Sequence, residues 1–203
     1  MNKPSAPTAA PMGRRARKKA ETRARIFEAA VSLFLRDGYH GVTIEQICEA
    51  ADVANGTFFL HFPTKTDLLV EFSEQLNDRI AARLETATGT PEDRLWAFRE
   101  AMVAEWDAHA GFMRDVVQEL RVGPSPDVAA RTANTLHALA RALIAEGQAL
   151  GDFSKEFDPA LAATTILAGW NGITVSWSKS GNWDQAAQAN EAVLKLVLRG
   201  LKA

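Results

Sequence analysis

The sequence is poor in cysteine and has no segment typical of a secreted protein. Cys48 is the sole cysteine among 203 residues, which excludes an internal disulfide. The N-terminal stretch is rich in Pro, Ala and Ser, whereas an export signal needs a basic end followed by an apolar core. We therefore expect a cytoplasmic protein with a reduced thiol.

Charged residues are absent from residues 159–178, a run long enough to attract a transmembrane interpretation. Several threonines and glycines, together with Asn171 and Ser176, dilute the apolar character of this run. Small and weakly polar residues suit a helix that is buried between other protein helices. We interpret the run as an internal helix of a globular protein.

Motifs of the common metal and nucleotide enzymes are missing as well. The sequence has no paired-histidine zinc motif and no Gly-rich phosphate loop after a strand, and its cysteine is in the wrong place for a nucleophile. The alternative is an all-α enzyme or metal protein that uses His109 or His137 with nearby carboxylates, but no motif supports it. We expect a protein without enzymatic activity, cofactor or metal.

What the sequence does have is an uneven distribution of charge. The net charge is −2, yet residues 1–65 carry ten Lys or Arg against six Asp or Glu. Seven of these basic residues form a cluster opposed only by Glu21, namely Arg14, Arg15, Arg17, Lys18, Lys19, Arg23 and Arg25. Taken alone, such a cluster is either a solvated face or a surface for a polyanion.

Apolar residues recur with helical period after a Pro-rich start, and no stretch alternates for long enough to be a strand. The pattern predicts an all-α fold of about nine helices. The predicted helices are separated by residues that favour turns, namely Gly38, Asp52, Pro63, Gly89, Gly111, Gly123, Pro124, Gly151 and Gly181.

Two short helices joined by a tight turn follow the basic cluster. Thr43, with Gln46 three residues later, forms a capping box for a helix that runs to about Ala50. The second helix begins near Ala54 and must end before Pro63. Short helical hairpins occur in many proteins, but these are the dimensions of a helix-turn-helix, whose second helix enters the major groove of DNA.

The residues of this hairpin resemble the TetR family of transcriptional regulators. The similarity rests on residues 41–44, on residues 50–53 and on the run Asn-Gly-Thr-Phe-Phe-Leu-His-Phe-Pro-Thr-Lys at residues 55–65. It implies an all-α protein with a helix-turn-helix domain at residues 20–66 and a larger helical domain for ligand binding and dimerisation at residues 67–203. The prolines and the scarcity of apolar residues at the start predict a disordered basic leader at residues 1–19.

The resemblance also implies specific DNA contacts. Thr43 would present its hydroxyl and a helix N-terminus to a phosphate. Asn55 can pair with adenine and Thr57 can contact a thymine methyl group, while His61 and Lys65 match positions that hold the DNA backbone. The full set of matching positions in the hairpin is Thr43, Asn55, Gly56, Thr57, Phe59, His61 and Lys65.

Three residues depart from the pattern of the family. Phe59 stands where a tyrosine often touches phosphate, so its contact can only be apolar or edge-on. Asp52 replaces the usual turn glycine, which is acceptable because Asp tolerates the left-handed conformation. Cys48 stands where alanine is common, and we expect it to pack as a small apolar residue.

Beside a helix-turn-helix, the basic residues 14–19 become candidates for an arm in the minor groove.

A single helix-turn-helix buries little DNA surface, so we expect a homodimer that contacts two half-sites of double-stranded operator DNA. The last two predicted helices are the candidates for the interface. One is uncharged and the other is amphipathic, which suits a four-helix contact around a two-fold axis. The family dimerises in the same way.

The C-terminal region is rich in aromatic residues with a few polar groups, a composition that fits a small-molecule pocket or an ordinary core. The candidate pocket residues are Trp96, Trp106, Phe112, Met113, Asn134, His137, Trp170, Asn171 and Trp177. By resemblance, an effector would shift the dimer to a state that no longer fits the operator. This predicts a repressor released by a small molecule, with activation and nonspecific DNA binding as the alternatives.

Overall fold

The computed structural model describes the backbone of residues 13–122 and 126–202, and the side chains of residues 13–120 and 135–202. The described chain is all-α and has no strand, which confirms the predicted fold class. It contains nine helices: α1 Arg14–Asp37, α2 Ile44–Ala50, α3 Asn55–His61, α4 Thr66–Glu85, α5 Pro91–Ala108, α6 Ala110–Val122, α7 Pro126–Leu150, α8 Pro159–Ser180 and α9 Trp183–Leu201.

The predicted helix ends are confirmed where the sequence supplies a cap. Thr43 Oγ1 accepts a hydrogen bond from the backbone N–H of Gln46 at 3.3 Å, and Gln46 Oε1 accepts one from the N–H of Thr43 at 2.8 Å. Asp158 Oδ1 caps α8 by accepting hydrogen bonds from the backbone N–H groups of Ala160 and Leu161. Gly38 and Gly181 follow α1 and α8 with φ of +74° and +75°, a conformation that glycine adopts without strain.

Helix α1 begins earlier than the sequence indicated. Residues 14–19 form its first turns, so the predicted disordered leader is wrong for this part, while residues 1–12 lie outside the described chain. Arg, Lys and Ala are strong helix formers, and Arg17 lies 3.4 Å from Glu21 one turn later. These turns bury no side chain, so hydrophobic periodicity could not reveal them.

Helices α1, α2 and α3 share a small core. Its members include Ile26 and Phe34 from α1, Ile47 from α2 and Phe58 from α3, all essentially excluded from solvent. Cys48 is also buried, which confirms its predicted packing as a small apolar residue.

The apolar stripe of α4 continues this core into the C-terminal helices. Helix α4 packs against α5, α6 and α7, and α8 packs between α7 and α9. Glu105 of α5 is buried and lies 2.9 Å from both Arg79 and Arg83 of α4, so the two helices are joined by ion pairs as well as by apolar contacts. In the described chain, no helix is long and apolar enough to cross a membrane.

Candidate nucleic-acid interface and its connection to the C-terminal helices

The turn between α2 and α3 sets the angle of a helix-turn-helix. Asp52 has φ of +52°, the left-handed conformation expected for this position. The backbone N–H of Val53 donates to the carbonyl oxygen of Cys48 at 3.0 Å, which closes the turn. Phe58 is fully buried and anchors α3 against the core. The described geometry is therefore that of the predicted motif.

The opposite side of α3 faces solvent. Asn55 and Gly56 are exposed in its first turn, and Phe59 and Leu60 follow in the second turn with 49% and 79% of their surface accessible. A Cβ atom built on Gly56 would meet no atom within 4 Å, so packing within the protein does not require glycine there. These four residues form one surface, which we call the readout face.

Leu60 is the residue of this face that the sequence reasoning missed. It is the most exposed of the large apolar side chains that remain accessible in the described chain. The sequence could have indicated it, because Leu60 is an apolar residue one turn after Gly56 and next to Phe59. This position is on the side of α3 that faces away from the core.

The two threonines predicted to contact DNA differ in accessibility. Thr43 is exposed at the start of α2, and its hydroxyl takes part in the capping box. Hydrogen bonds from the backbone N–H of Glu45 and from the Thr43 hydroxyl lower the pKa of the Glu45 carboxyl. Thr57 is half-buried at the edge of the readout face.

Lys65 has contacts within the protein. Its ammonium group donates a hydrogen bond to the carbonyl oxygen of Tyr39 and lies 4.1 Å from the centre of the Tyr39 ring. Burial lowers the pKa of Lys65, and the charges of Glu119 and Asp115 act in the opposite direction. The Lys65 side chain thus connects the turn after α1 to the start of α4. A DNA phosphate that contacts this ammonium group would bind it together with the Tyr39 carbonyl oxygen.

The end of α3 is fixed by Arg23. Its guanidinium donates to the carbonyl oxygen of His61, lies 4.1 Å from the centre of the Phe62 ring and donates to Glu71 of α4 at 2.7 Å. Burial, and then the charges of Lys19 and Arg23, lower the pKa of His61. Both effects favour the neutral form of the His61 imidazole.

The predicted pocket residues are not brought together at one place. Trp106 and Trp177 meet with ring centres 6.0 Å apart, and Trp183 completes a cluster with both. Trp170 instead packs beside Phe98 and donates its indole N–H to the backbone at Asn190 at 2.9 Å.

The other predicted pocket residues lie in separate surroundings. Phe112 and Met113 are buried, with the Phe112 ring between Phe34 and Phe72. His137 forms a hydrogen bond with the hydroxyl of Thr164 at 3.0 Å. The remaining three are half-buried Trp96, exposed Asn171, and Asn134, whose side chain lies outside the described part.

Neither of two open surface depressions on the described chain is lined by a predicted pocket residue. One lies along α1, and the other lies between α7 and the start of α8. Among the described residues, no group of three or more His, Cys, Asp or Glu side chains could hold a metal ion.

Comparison with known proteins agrees with this geometry. The family described as "Bacterial regulatory proteins, tetR family" matches residues 26–72, and "Tetracyclin repressor-like, C-terminal domain" matches residues 88–201. The HTH-type transcriptional repressor DhaR of Mycobacterium sp. strain GP1 is 27% identical over 188 residues, which are 89% of this chain and 94% of that protein.

Two solved structures are similar over most of their length. Thermus thermophilus FadR in complex with lauroyl-CoA has a TM-score of 0.72 at 23% identity, covering 89% of this chain and 95% of that one. Bacillus subtilis FadR in complex with stearoyl-CoA has a TM-score of 0.70 at 21% identity, covering 88% and 98%. At these identities the likeness concerns the fold.

The described helices have the fold of a helix-turn-helix DNA-binding protein. This fold and the matches to both domains show that the chain belongs to the TetR family. It is therefore a DNA-binding transcriptional regulator and not an enzyme.

Proposed function

We propose that the chain is a cytoplasmic homodimeric repressor that leaves its operator when a small molecule binds to the C-terminal helices. The observation that carries this proposal is the readout face of α3, which is accessible while Phe58 anchors the same helix in the core. A helix held in this way can enter the major groove without rearrangement of the domain.

Each residue of the readout face suits a different part of the groove. The Asn55 amide can form two hydrogen bonds with adenine, and Gly56 allows the backbone to approach closely. Half-buried Thr57 lies beside them. Phe59 and Leu60 are apolar, and the apolar group that base pairs present in the major groove is the thymine methyl.

The exposed surface of α8 supports a dimer through the last two helices. Leu161, Thr165, Ala168 and Gly172 are exposed at spacings of three and four residues, in a segment without charge. Leu161 is 58% accessible, and Leu196 on the neighbouring α9 is 72% accessible. Burying a leucine in a four-helix interface contributes about 2 kcal/mol, so this surface gains from a second copy of the chain.

The proposed effector site is an aromatic cluster between the C-terminal helices. The cluster of Trp106, Trp177 and Trp183 joins α5, α8 and α9, and two of its members are half-buried. Aromatic side chains of this kind suit an apolar ligand. The FadR structures contain acyl-CoA molecules, so lauroyl-CoA and stearoyl-CoA are reasonable first probes.

The test is the binding of purified protein to the DNA that flanks its own gene, measured by fluorescence anisotropy against scrambled DNA over a series of salt concentrations. A repressor should prefer its operator by about a thousandfold or more and keep this preference in moderate salt. Equal binding to both DNAs, with a steep salt dependence, would support a nonspecific binder instead. Light scattering on the same sample gives the oligomeric state.

The same assay separates repression from activation. For a repressor, adding the effector probe to the bound complex lowers the anisotropy to that of free DNA. If a probe strengthens operator binding, the probe acts as a co-repressor or the protein as an activator, and the release step is wrong.

A further inference from the structure

Helix α1 carries its basic residues on two different sides. Successive residues of a helix are rotated by about 100°, so side chains four residues apart lie on nearly the same side. Arg15, Lys19 and Arg23 follow one another at this spacing. Lys18 and Arg25 lie about 100° and about 120° away from Lys19 around the same helix axis. The cluster that the sequence presents as one group is thus divided in two.

The side that contains Lys18 and Arg25 is mixed in charge. These two residues line a shallow surface depression together with Glu21 and Glu28. Acidic and basic residues alternate there at spacings of three and four, the arrangement in which opposite charges stabilise an exposed helix. Arg14 and Arg17 lie on this side as well, and Arg17 is 3.4 Å from Glu21, so carboxylates that repel an anion interrupt its basic residues.

The side that contains Lys19 is directed toward the end of the recognition helix α3. Arg23 binds the carbonyl oxygen of His61, and the charge of Lys19 also acts on the His61 imidazole. Lys19 and Arg15 are both exposed and lie one and two turns, respectively, closer to the start of α1 than Arg23. Glu21 and Glu28 lie on the opposite side of the helix.

We propose that Arg15 and Lys19 form a phosphate-binding stripe that extends the DNA interface beyond the helix-turn-helix, and that Lys18 and Arg25 take no part in it. The inference rests on the proposed DNA-binding function and names the partner of this side of α1 as the phosphate backbone. Four residues of helix span about 6 Å, over which one DNA strand presents about two phosphates.

The two sides of α1 provide a matched experiment. Arg15→Gln and Lys19→Gln each remove one charge from the stripe, while Lys18→Gln removes one charge from the mixed side. All three positions are exposed, and glutamine is a good helix former, so the fold is retained. For each variant, affinity for the operator and for scrambled DNA is measured by anisotropy over the salt series, with circular dichroism as the folding control.

The expected result is a change in the slope of log affinity against log salt concentration. Each stripe variant removes one charge from each protomer, so in the proposed dimer it should lower the magnitude of this slope by about 1.8. It should weaken binding to both DNAs by a similar factor, because phosphates carry no sequence information. Lys18→Gln should leave the slope unchanged. The double variant Arg15→Gln/Lys19→Gln should lower the magnitude of the slope by about 3.6.

Equal slopes for the Lys18 and Lys19 variants would overturn the proposal, because the cluster would then act as diffuse charge. Unchanged slopes for both stripe variants would mean that this side of α1 does not contact DNA, and the proposal would be overturned as well. The proposed function is tested separately: a wild-type protein without operator preference contradicts the repressor, yet a slope difference between the variants on scrambled DNA still supports the stripe.

Discussion

The carboxylate of Asp115 on α6 accepts a hydrogen bond from the backbone N–H of Tyr39 at 2.9 Å, in the turn that follows α1. One turn further along α6, Glu119 lies 3.5 Å from His40. On the other side of Asp115, the Phe112 ring lies 5.5 Å from that of Phe34. Helix α6 therefore holds the DNA-binding helices through side chains on one of its faces, and a movement of α6 would displace that turn.

The first prediction concerns Asp115→Ala. Removing the carboxylate leaves the N–H of Tyr39 without its acceptor in a partly buried position, so the free energy of unfolding should fall by about 1 to 3 kcal/mol. Operator affinity should also fall, because the turn between α1 and α2 is less well held. Urea unfolding and fluorescence anisotropy measure the two effects.

Asp115→Asn is the matched control, since its amide oxygen can still accept a hydrogen bond from the Tyr39 N–H. It should lower the free energy of unfolding by less than Asp115→Ala does. Glu119→Gln should lower the free energy of unfolding by less than about 1 kcal/mol, because its partner His40 is exposed. If Asp115→Ala unfolds like the wild type, the hydrogen bond does not contribute to the connection between α6 and the DNA-binding helices.

The second prediction concerns Leu60 on the readout face. If its side chain contacts a thymine methyl, replacing that thymine by deoxyuracil should weaken operator binding by about fourfold, the equivalent of one buried methyl group. In Leu60→Ala the same DNA change should have no further effect. A scan of single deoxyuracil substitutions through the operator, read by anisotropy, locates the contact.

Leu35→Ala serves as the control for Leu60, since Leu35 is 52% accessible but lies on α1. It should leave both the affinity and the deoxyuracil scan unchanged. A Leu60→Ala variant that keeps the full sensitivity to methyl removal would assign thymine recognition to other residues.

The sequence predicted most helix boundaries because these depend on local chemistry. Capping boxes, prolines after helices and glycines with positive φ act within a few residues, so Thr43, Asp158 and Gly181 could be interpreted without the tertiary structure. The first turns of α1 escaped prediction because they have no apolar stripe. Their stability comes from intrinsic propensity and ion pairs, which periodicity does not detect.

The candidate sites were predictable only in part. Helical spacing indicates which residues turn inward, but not which inward residues from different helices meet. Trp106 and Trp177 meet Trp183 across three helices, while Trp170 packs elsewhere. Lys65 is another example, since only the tertiary structure reveals that the Tyr39 carbonyl oxygen binds its ammonium group.

The third prediction tests the dimer interface. In the proposed interface a glutamate in place of exposed Leu196 would be buried without an ionic partner, and burying unpaired charge is costly. Leu196→Glu should therefore shift the protein toward monomer in light scattering at micromolar concentration. Leu35→Glu introduces the same charge on α1 and should leave the molecular mass of the dimer in solution unchanged. A Leu196→Glu protein that stays dimeric would place the interface on another surface.

The last prediction concerns the titration of His61. Burial and the charges of Lys19 and Arg23 hold its pKa below the usual 6.5, so the unfolded chain binds a proton more readily than the folded chain. By linkage, the stability that neutral His61 provides is present above pH 6.5 and is lost as the pH falls toward the lowered pKa.

His61→Gln should consequently reduce the pH dependence of the free energy of unfolding in this range, as measured by urea denaturation at a series of pH values. NMR titration of the imidazole tests the cause directly. Lys19→Gln should raise the pKa of His61, because it removes one of the charges that lowers it, whereas Lys18→Gln should not. A His61 pKa that responds equally to both substitutions would mean that Lys19 is not directed toward α3, and the division of α1 into two sides would then be wrong.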